Sequence, residues 1–230
     1  MKEIHVVRLG RTTYAWCWNL QRCLLEGRLS GDAHDLLLLT EHESVYTIGT
    51  AGGDDHLLAH EEELRGKRIP VYHSDRGGDI TYHGPGQLVA YPILDLTRYY
   101  CDLHRYLRDL EEVVIRTVAS YGLGARREPP LTGVWVGGRK ICAIGVKTSR
   151  WMTMHGFALN ISTDLSHFER IIPCGIRDRG VTSLSRELGR TIGMDEIMDK
   201  VVDHFGHVFG CDVPELRPED HRLFDIEYVK

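Results

Sequence analysis

The order of strand-like and helix-like segments along the chain constrains its fold more than any other feature of the sequence. Segment 102–122 repeats apolar residues at helical spacing from Leu103 to Val118 and then reaches Gly122, a stop signal. Segments 12–27 and 195–210 are also predicted helices. The β-rich runs are residues 3–9, 35–41, 44–49, 86–96, 132–149 and 151–162. Because these runs cluster instead of alternating regularly with helices, the sequence predicts an α+β fold of mixed sheets packed with helices.

The sequence between the β-rich runs contains one clear turn and no sign of a domain boundary. Gly137 and Gly138 divide run 132–149 into two β-rich halves and predict a tight hairpin between them. Hydrophobic residues make up 42% and charged residues 27% of the 230 residues, which is an ordinary globular composition. No repeat, low-complexity tract or linker interrupts the sequence. We therefore expect a single domain over residues 1–230.

Charge, hydropathy and cysteine spacing exclude several classes of protein. The longest aliphatic run, Leu36–Leu39, is too short to span a membrane, and the first residues lack signal-peptide and transit-peptide features. The six cysteines include no C-x-x-C pair, which indicates reduced thiols and not a disulfide framework. A net charge of −5 does not favour nucleic acid as a partner. We expect a cytoplasmic protein that binds neither membranes nor nucleic acid.

The nearest approach to a metal-ligand pattern is the trio His204, His207 and Cys211. On the predicted helix, His204 flanks the apolar stripe and His207 points further into solvent, which is typical of surface histidines. The four-ligand set of a structural zinc site is not visible. The sequence therefore predicts no metal site.

Cys174 lies in the segment IIPCGI, between a proline and a glycine. Proline fixes φ and glycine permits positive φ, so this thiol is predicted to sit on a stiff, tight turn. Spacing alone leaves packing, metal ligation and nucleophilic catalysis open for it, although exposed tight turns often carry nucleophiles. Lys140 and Cys142 are predicted to share one side of a strand, where a lysine is ordinarily a solvated strand end and a cysteine ordinarily packs.

Segment 76–92, RGGDITYHGPGQLVAYP, contains more turn formers than a scaffold needs. A hairpin with tight ends is the simplest interpretation. The turns are flanked by Arg76, Tyr82 and His83, which are able to orient a polar substrate, and close glycines let backbone N–H groups approach a ligand. No G-x-G-x-x-G or Walker pattern occurs, so phosphate binding has no motif behind it.

Three long blocks, residues 76–96, 138–162 and 171–184, closely resemble the octanoyltransferases of lipoate biosynthesis. The similarity extends from about residue 36 to residue 190. The resemblance implies an α+β fold shared with the catalytic domains of biotin and lipoate protein ligases. It implies octanoyl–acyl carrier protein as donor, and as acceptors the lipoyl domains of 2-oxoacid dehydrogenases and the glycine cleavage H protein. It implies no cofactor.

The resemblance also implies roles for particular residues. Cys174 and Lys140 match the catalytic cysteine–lysine pair of the family. Small residues beside the strands are expected to leave a slot for the eight-carbon chain. The acyl-binding segments of the family match Arg76, Gly77, Gly78, Asp79, Ile80, Thr81, Tyr82, His83, Ala143, Ile144, Gly145, Gly156, Phe157 and Ala158.

A thioester donor and an amine acceptor suit a cysteine nucleophile. A free thiol with a pKa of ~8.5 is mostly protonated at neutral pH and needs a cationic neighbour, for which Lys140 is the candidate. Gly77 and Gly78 are candidates for oxyanion donors. Residues 131–190 contain nine lysines and arginines against four acidic residues, which predicts a basic face toward an acidic carrier protein.

Three alternatives remain. An ATP-dependent lipoate or biotin ligase would share the fold, but it needs no thiol, and the chain lacks a G-x-G-x-x-G-type loop. An amidotransferase that moves octanoyl between lipoyl domains is a closer alternative. A non-catalytic module that only binds acyl carrier protein would have no use for Cys174 and Lys140.

Overall fold

The computed structural model describes residues 2–29, 34–172 and 179–216, which form ten strands and five α-helices. The strands are β1 (Ile4–Thr12), β2 (Asp35–His42), β3 (Val45–Ile48), β4 (Val71–His73), β5 (Ile80–His83), β6 (Gln87–Ile93), β7 (Ala125–Glu128), β8 (Leu131–Val136), β9 (Arg139–Ser149) and β10 (Met152–Asn160). The helices are α1 (Tyr14–Leu29), α2 (Glu61–Gly66), α3 (Leu103–Ala119), α4 (Leu184–Leu188) and α5 (Met194–Phe209).

The strands form two mixed sheets. The larger sheet has the order β1-β2-β6-β10-β9-β8-β7, and the smaller has the order β4-β3-β5. Parallel pairing joins β1 to β2 and β3 to β4, whereas the other neighbours are antiparallel. The predicted α+β class of mixed sheets with helices is therefore confirmed. The single domain over residues 1–230 stays a prediction.

Helices α1 and α3 begin at side-chain caps, and the long helices end close to the predicted positions. Asp102 accepts a hydrogen bond from the Arg105 N–H at 3.0 Å and starts α3. Thr13 accepts one from the Trp16 N–H at 3.3 Å at the start of α1. Helix α3 ends at Ala119, three residues before the predicted stop at Gly122. None of the helices in the described ranges is long and apolar enough to cross a membrane.

The larger sheet separates two apolar clusters. Helices α3 and α5 pack together and cover one face, where residues such as Leu110, Val201 and Phe205 are fully buried. Helix α1 covers part of the other face with Leu20 and Leu24. Because strand side chains alternate between faces, each central strand contributes to both clusters. This alternation decides which β9 and β10 side chains remain available for a site.

Two turns predicted from the sequence have different outcomes in the structure. Gly137 and Gly138 have φ of 55° and 78° and join β8 to β9, which confirms the predicted hairpin. The chain also turns between β5 and β6, but β5 pairs with β3 and β6 pairs with β2 and β10. The simple hairpin interpretation of segment 76–92 is therefore wrong, because the two strands separate into different sheets.

The outer edge of β1 is covered by a segment from the far end of the described chain. Ile4 N–H donates to the Asp212 carbonyl at 2.9 Å, and Val6 N–H donates to the Pro214 carbonyl at 2.8 Å. The Leu216 N–H returns a bond to the Val6 carbonyl at 2.9 Å. Residues 212–216 therefore satisfy backbone groups that an edge strand would otherwise expose.

Candidate active site

A cavity of about 410 Å³ is bordered by strands β6, β9 and β10, by segment 76–83 and by helix α3. Tyr82 is the one residue matched to acyl binding that does not line it. Its ring stacks on His167 with 4.3 Å between centroids, and its hydroxyl lies 3.0 Å from the Ser44 hydroxyl. Cys174 lies outside the described residues. The sequence-matched residues on the cavity wall are Lys140, Arg76, Gly77, Gly78, Asp79, Ile80, Thr81, His83, Ala143, Ile144, Gly145, Gly156, Phe157 and Ala158.

Strand register places the small residues of β9 and β10 side by side on the cavity wall. Ala143 pairs with Ala158, and Gly145 pairs with Gly156. Val89 of β6 pairs with Ala158 on the other side of β10, and it also lines the cavity. Directly paired residues point to the same face of a sheet. This face therefore offers an apolar strip of small side chains that leads away from Lys140.

A β-bulge separates Lys140 from Cys142. Cys142 pairs with Val134, but Lys140 pairs with Trp135, so the register shifts by one residue between them. Lys140 lines the cavity, whereas Cys142 is fully buried in the α3 and α5 core. Burial raises the pKa of the Cys142 thiol far above its usual range. The prediction that Lys140 and Cys142 share one side of the strand is wrong, and Cys142 is a packing residue.

Backbone bonds join Lys140 to the segment that follows residue 178. Lys140 N–H donates to the Gly180 carbonyl at 3.0 Å, and Thr182 N–H donates to the Lys140 carbonyl at 2.9 Å. Ile172, on the other side of segment 173–178, shares the wall of a second cavity of about 470 Å³ with Gly180 and Val181. Val181 also lines the main cavity. The described residues on both sides of Cys174 in the sequence thus lie beside the wall that carries Lys140.

Arg76 supports the cavity wall through bonds to the protein itself. Its guanidinium donates to the Thr47 carbonyl at 2.6 Å and to the Gly77 carbonyl at 3.1 Å, and the residue is 8% exposed. Gly77 N–H donates to the Val146 carbonyl at 2.9 Å. The Gly77 N–H, which was expected to stabilise an oxyanion, therefore donates to β9. Arg76 connects the same turn to β3 through its bonds to Thr47.

Close backbone contacts explain Gly145 and Gly156. A Cβ atom added at Gly145 would lie 2.6 Å from the Gly77 carbonyl oxygen, and one at Gly156 would lie 2.1 Å from the Ala90 carbonyl oxygen. Either contact is far inside van der Waals distance. These glycines are therefore needed for the approach of neighbouring backbone, and the slot beside the strands is left by Ala143 and Ala158.

Buried polar side chains, most of them not identified from the sequence, form part of the cavity wall. His83 donates from Nδ1 to the Gln87 Oε1 at 2.8 Å, and burial lowers the pKa of His83 well below its usual value. The Tyr14 hydroxyl lies 2.8 Å from the Ser74 hydroxyl, and burial raises the pKa of Tyr14 to about 12. Tyr14 lies outside the motif segments and the family blocks of the sequence, so no local pattern identified it as a cavity residue.

His155 is the other unexpected residue on the cavity wall. It has φ of 59° in the middle of β10, a conformation that residues other than glycine seldom adopt. Its Nε2 donates to Asp75 Oδ1 at 2.7 Å, and Lys147 Nζ donates to Asp75 Oδ2 at 2.6 Å. Burial lowers the pKa of His155, so the ring is neutral near pH 7. His155 stands inside the block 138–162, where the family resemblance already pointed.

Ion pairs neutralise part of the basic region 131–190. Four of its cations have acidic partners within salt-bridge distance, which reduces the field that this region presents to an acidic protein. The pairs are Arg139–Glu187 at 2.8 Å, Lys147–Asp75 at 2.6 Å, Arg170–Glu63 at 2.8 Å and Arg179–Glu128 at 3.3 Å.

The residues considered as metal ligands are dispersed. His204 and His207 lie on α5 with their rings 6.5 Å apart, and His207 Nδ1 donates to the Asp203 carbonyl at 2.7 Å. Burial raises the pKa of the half-buried Cys211 to about 11. Across residues 2–29, 34–172 and 179–216, no three His, Cys, Asp or Glu side chains are grouped to hold a metal ion.

Known proteins resemble this chain in sequence and in fold. The lipoyl protein ligase A/B catalytic domain family matches residues 13–206. An octanoyltransferase of Rubrobacter xylanophilus is 59% identical over 203 residues, which cover 87% of this chain and 91% of the relative.

Solved structures with low sequence identity share the fold. A lipoate-protein ligase A bound with ATP superposes with a TM-score of 0.78 at 17% identity, covering 99% of this chain and 96% of the other. A biotin protein ligase from Aquifex aeolicus, in complex with biotin and ATP, gives a TM-score of 0.55 at 14% identity, covering 90% of this chain and 70% of the other. The fold expected from the resemblance is therefore confirmed.

Proposed function

The chain belongs to the octanoyltransferases of the lipoyl protein ligase A/B catalytic domain family, and we propose that it takes its octanoyl group from acyl carrier protein. The predicted family and the acyltransferase activity in protein lipoylation are confirmed. We propose lipoyl domains, including those of 2-oxoacid dehydrogenases and the glycine cleavage H protein, as acceptors. The position of Lys140 carries the proposal, because this residue lies on the wall of the cavity that the acyl-binding segments form.

We propose Cys174 as the nucleophile. The sequence supplies the Pro-Cys-Gly turn, and the described residues before and after it lie beside the wall that carries Lys140. A cation within about 4–6 Å of a thiol lowers its pKa by a unit or more, which favours the reactive thiolate. Cys142, the other thiol in this part of the sequence, is buried in the core and is unsuited to this role.

The proposed reaction has two steps. The Cys174 thiolate attacks the thioester carbonyl, a carbon–sulfur bond forms to Cys174, and the bond to the carrier sulfur breaks. The departing carrier thiolate takes a proton from the Lys140 ammonium. The neutral amine of the acceptor lysine then attacks the Cys174 thioester, a carbon–nitrogen bond forms, and Lys140 takes the proton that the amine loses. The Cys174 thiolate leaves, which restores the starting ion pair.

The cavity suits the acyl chain because its wall is apolar next to Lys140. Val89, Ala143, Ile144, Phe157 and Ala158 contribute aliphatic or aromatic surface. Burying each methylene favours binding by about 0.8 kcal/mol, so an eight-carbon chain gains several kcal/mol along this strip. The polar end with Tyr14 and His155 offers no such gain to a longer chain.

We propose the cytoplasm as the compartment of this reaction. Free thiols are kept reduced in the cytoplasm, which suits a thiolate nucleophile. The described cysteines Cys17, Cys23, Cys101, Cys142 and Cys211 are all free thiols.

Intact-mass measurement after mixing with octanoyl–acyl carrier protein tests the proposal. The mass of the protein should rise by one octanoyl group without ATP or metal, and Cys174→Ala should abolish the adduct. Cys142→Ala is the matched control and should keep it. An adduct on Cys142 would overturn the choice of nucleophile, and strict dependence on ATP with free octanoate as donor would place the protein among the ligases.

A further inference from the structure

Trp135 faces Lys140 across the hairpin that joins β8 to β9. The two residues are directly paired in the antiparallel ladder. The Lys140 Nζ lies 4.9 Å from the centre of the Trp135 ring, within the range of a cation–π contact. The bulge beyond this pair places Cys142 on the core face, so Trp135 and Lys140 meet on the cavity side of the hairpin.

The stem of Lys140 passes beside Gly133. A Cβ atom added at Gly133 would lie 2.6 Å from the Cys142 carbonyl oxygen and 3.5 Å from Lys140 Cε. Gly133 has φ of 123°, which residues with side chains seldom adopt. The Cys142 carbonyl and this φ angle both require glycine at position 133, and the stem of Lys140 passes beside it.

The buried aromatic ring at position 135 is an indole and not a phenyl ring. Trp135 is 2% exposed, and its Nε1 has no hydrogen-bond partner in the part of the chain that the structure describes. A buried, unpaired N–H is unfavourable. A phenylalanine would fill much of the same space without it. What the indole adds is the strongest cation-binding face among the aromatic side chains.

A second cation contacts the same ring. The Arg179 guanidinium carbon lies 5.5 Å from the ring centre, and Arg179 also donates to Glu128 at 3.3 Å. Arg179 is the first described residue after segment 173–178. The indole therefore contacts both Lys140 and Arg179, and Arg179 follows the segment that carries Cys174.

We propose that Trp135 is a positioning residue for Lys140, whose ammonium it holds at the cavity wall through the face of its indole ring. The proposal rests on the proton-transfer role given to Lys140 under the proposed function. Trp135 does not line the cavity, so it acts on the reaction through the lysine and makes no contact with the acyl chain.

Steady-state kinetics of Trp135→Phe and Trp135→Leu test the proposal. Trp135→Leu should lower kcat about 3- to 30-fold, the range expected for a lost cation–π contact, and Trp135→Phe should lower it less because a phenyl face remains. KM for octanoyl–acyl carrier protein should stay unchanged. A parallel rise in KM, or equal losses for Phe and Leu, would indicate general damage to the wall and would contradict the proposal.

A double-mutant cycle separates this proposal from the proposed function. Trp135→Leu should have no further effect on activity in the Lys140→Ala background, because its target is gone. An equal loss in both backgrounds would show a merely structural role and overturn the inference. Full activity of Lys140→Ala itself would instead refute the lysine's part in the proposed function.

A measurement on the protein with Trp135 intact covers the case in which the Trp135 variants fold poorly. After reductive ¹³C-methylation of lysines, the Lys140 methyl signal, identified by its loss in Lys140→Ala, should be shifted upfield by the indole ring. A signal at the position of solvent-exposed lysines would overturn the proposal. Trp151→Leu, which changes a 40% exposed tryptophan elsewhere, is the matched control and should retain the shift and the wild-type kcat.

Discussion

The two faces of β9 differ in what they contribute to the protein. On the core face, Ile141 and Cys142 are fully buried against α3 and α5. On the cavity face, Lys140, Ala143 and Gly145 present one cation and two small residues. The first face stabilises the fold by excluding water, and the second borders the cavity. One strand therefore contributes to the core on one face and to the cavity wall on the other, and a single-residue bulge decides which residue lies on which face.

Removing the cation from the cavity face should give the largest effect. Lys140→Ala should lower kcat/KM by about 10²–10⁴-fold, the usual range for a positioned acid or base, while the thermal midpoint changes little. Steady-state kinetics and thermal unfolding together measure both quantities.

Lys140→Arg sharpens the same test. It should keep the positive charge but not the proton transfer, because a guanidinium does not deprotonate in proteins. Its iodoacetamide reactivity at Cys174 should therefore remain nearer to wild type than that of Lys140→Ala. If both variants alkylate Cys174 as the wild type does across the pH range, Lys140 is only a strand-end charge.

Adding one methyl group to the cavity face should affect both the stability of the fold and the binding of the octanoyl donor. Gly145→Ala would place its Cβ 2.6 Å from the Gly77 carbonyl oxygen, so the turn at residues 76–77 must move away from β9. We expect a loss of about 1–3 kcal/mol in the free energy of unfolding and a higher KM for the octanoyl donor. Gly66→Ala, where an added Cβ meets nothing within 4 Å, is the control. Unchanged stability in Gly145→Ala would show that the turn at residues 76–77 moves without a cost in free energy, and would contradict this prediction.

The smallest effect should come from the core face. Cys142→Ala removes one buried sulfur atom, and we expect a loss of about 1 kcal/mol in the free energy of unfolding because a small cavity remains. Urea denaturation measures this loss, and kcat should stay at the wild-type value. A large drop in kcat at unchanged stability would contradict the separation of the two faces.

The architecture could be predicted because periodicity and turn residues act locally. The amphipathic spacing of α3, the Gly137-Gly138 turn and the β-rich runs all correspond to elements of the structure. The family blocks also located the cavity, since Lys140 and nearly all of the matched residues line it. Patterns of this kind depend on neighbours within a few residues, which a single sequence displays.

The departures came from contacts between distant segments. Strict alternation placed Lys140 and Cys142 on one side, and only the pairing of β9 with β8 revealed the bulge. Segment 76–92 has the turn residues of a hairpin, yet its strands join different sheets, because β5 pairs with β3 and β6 pairs with β2 and β10. Gly145 was expected to widen a slot, whereas its role depends on a carbonyl 68 residues earlier in the chain, at Gly77. No local pattern encodes such contacts.

The cover over the edge of β1 has a consequence for how this protein is made. Backbone groups of Ile4 and Val6 find their partners only in residues 212–216, near the other end of the described chain. During synthesis, the ribosome releases the first strand long before it releases that cover. Until then one side of the larger sheet remains open to pairing with other chains. The nascent protein therefore stays open to such pairing until residues 212–216 have left the ribosome.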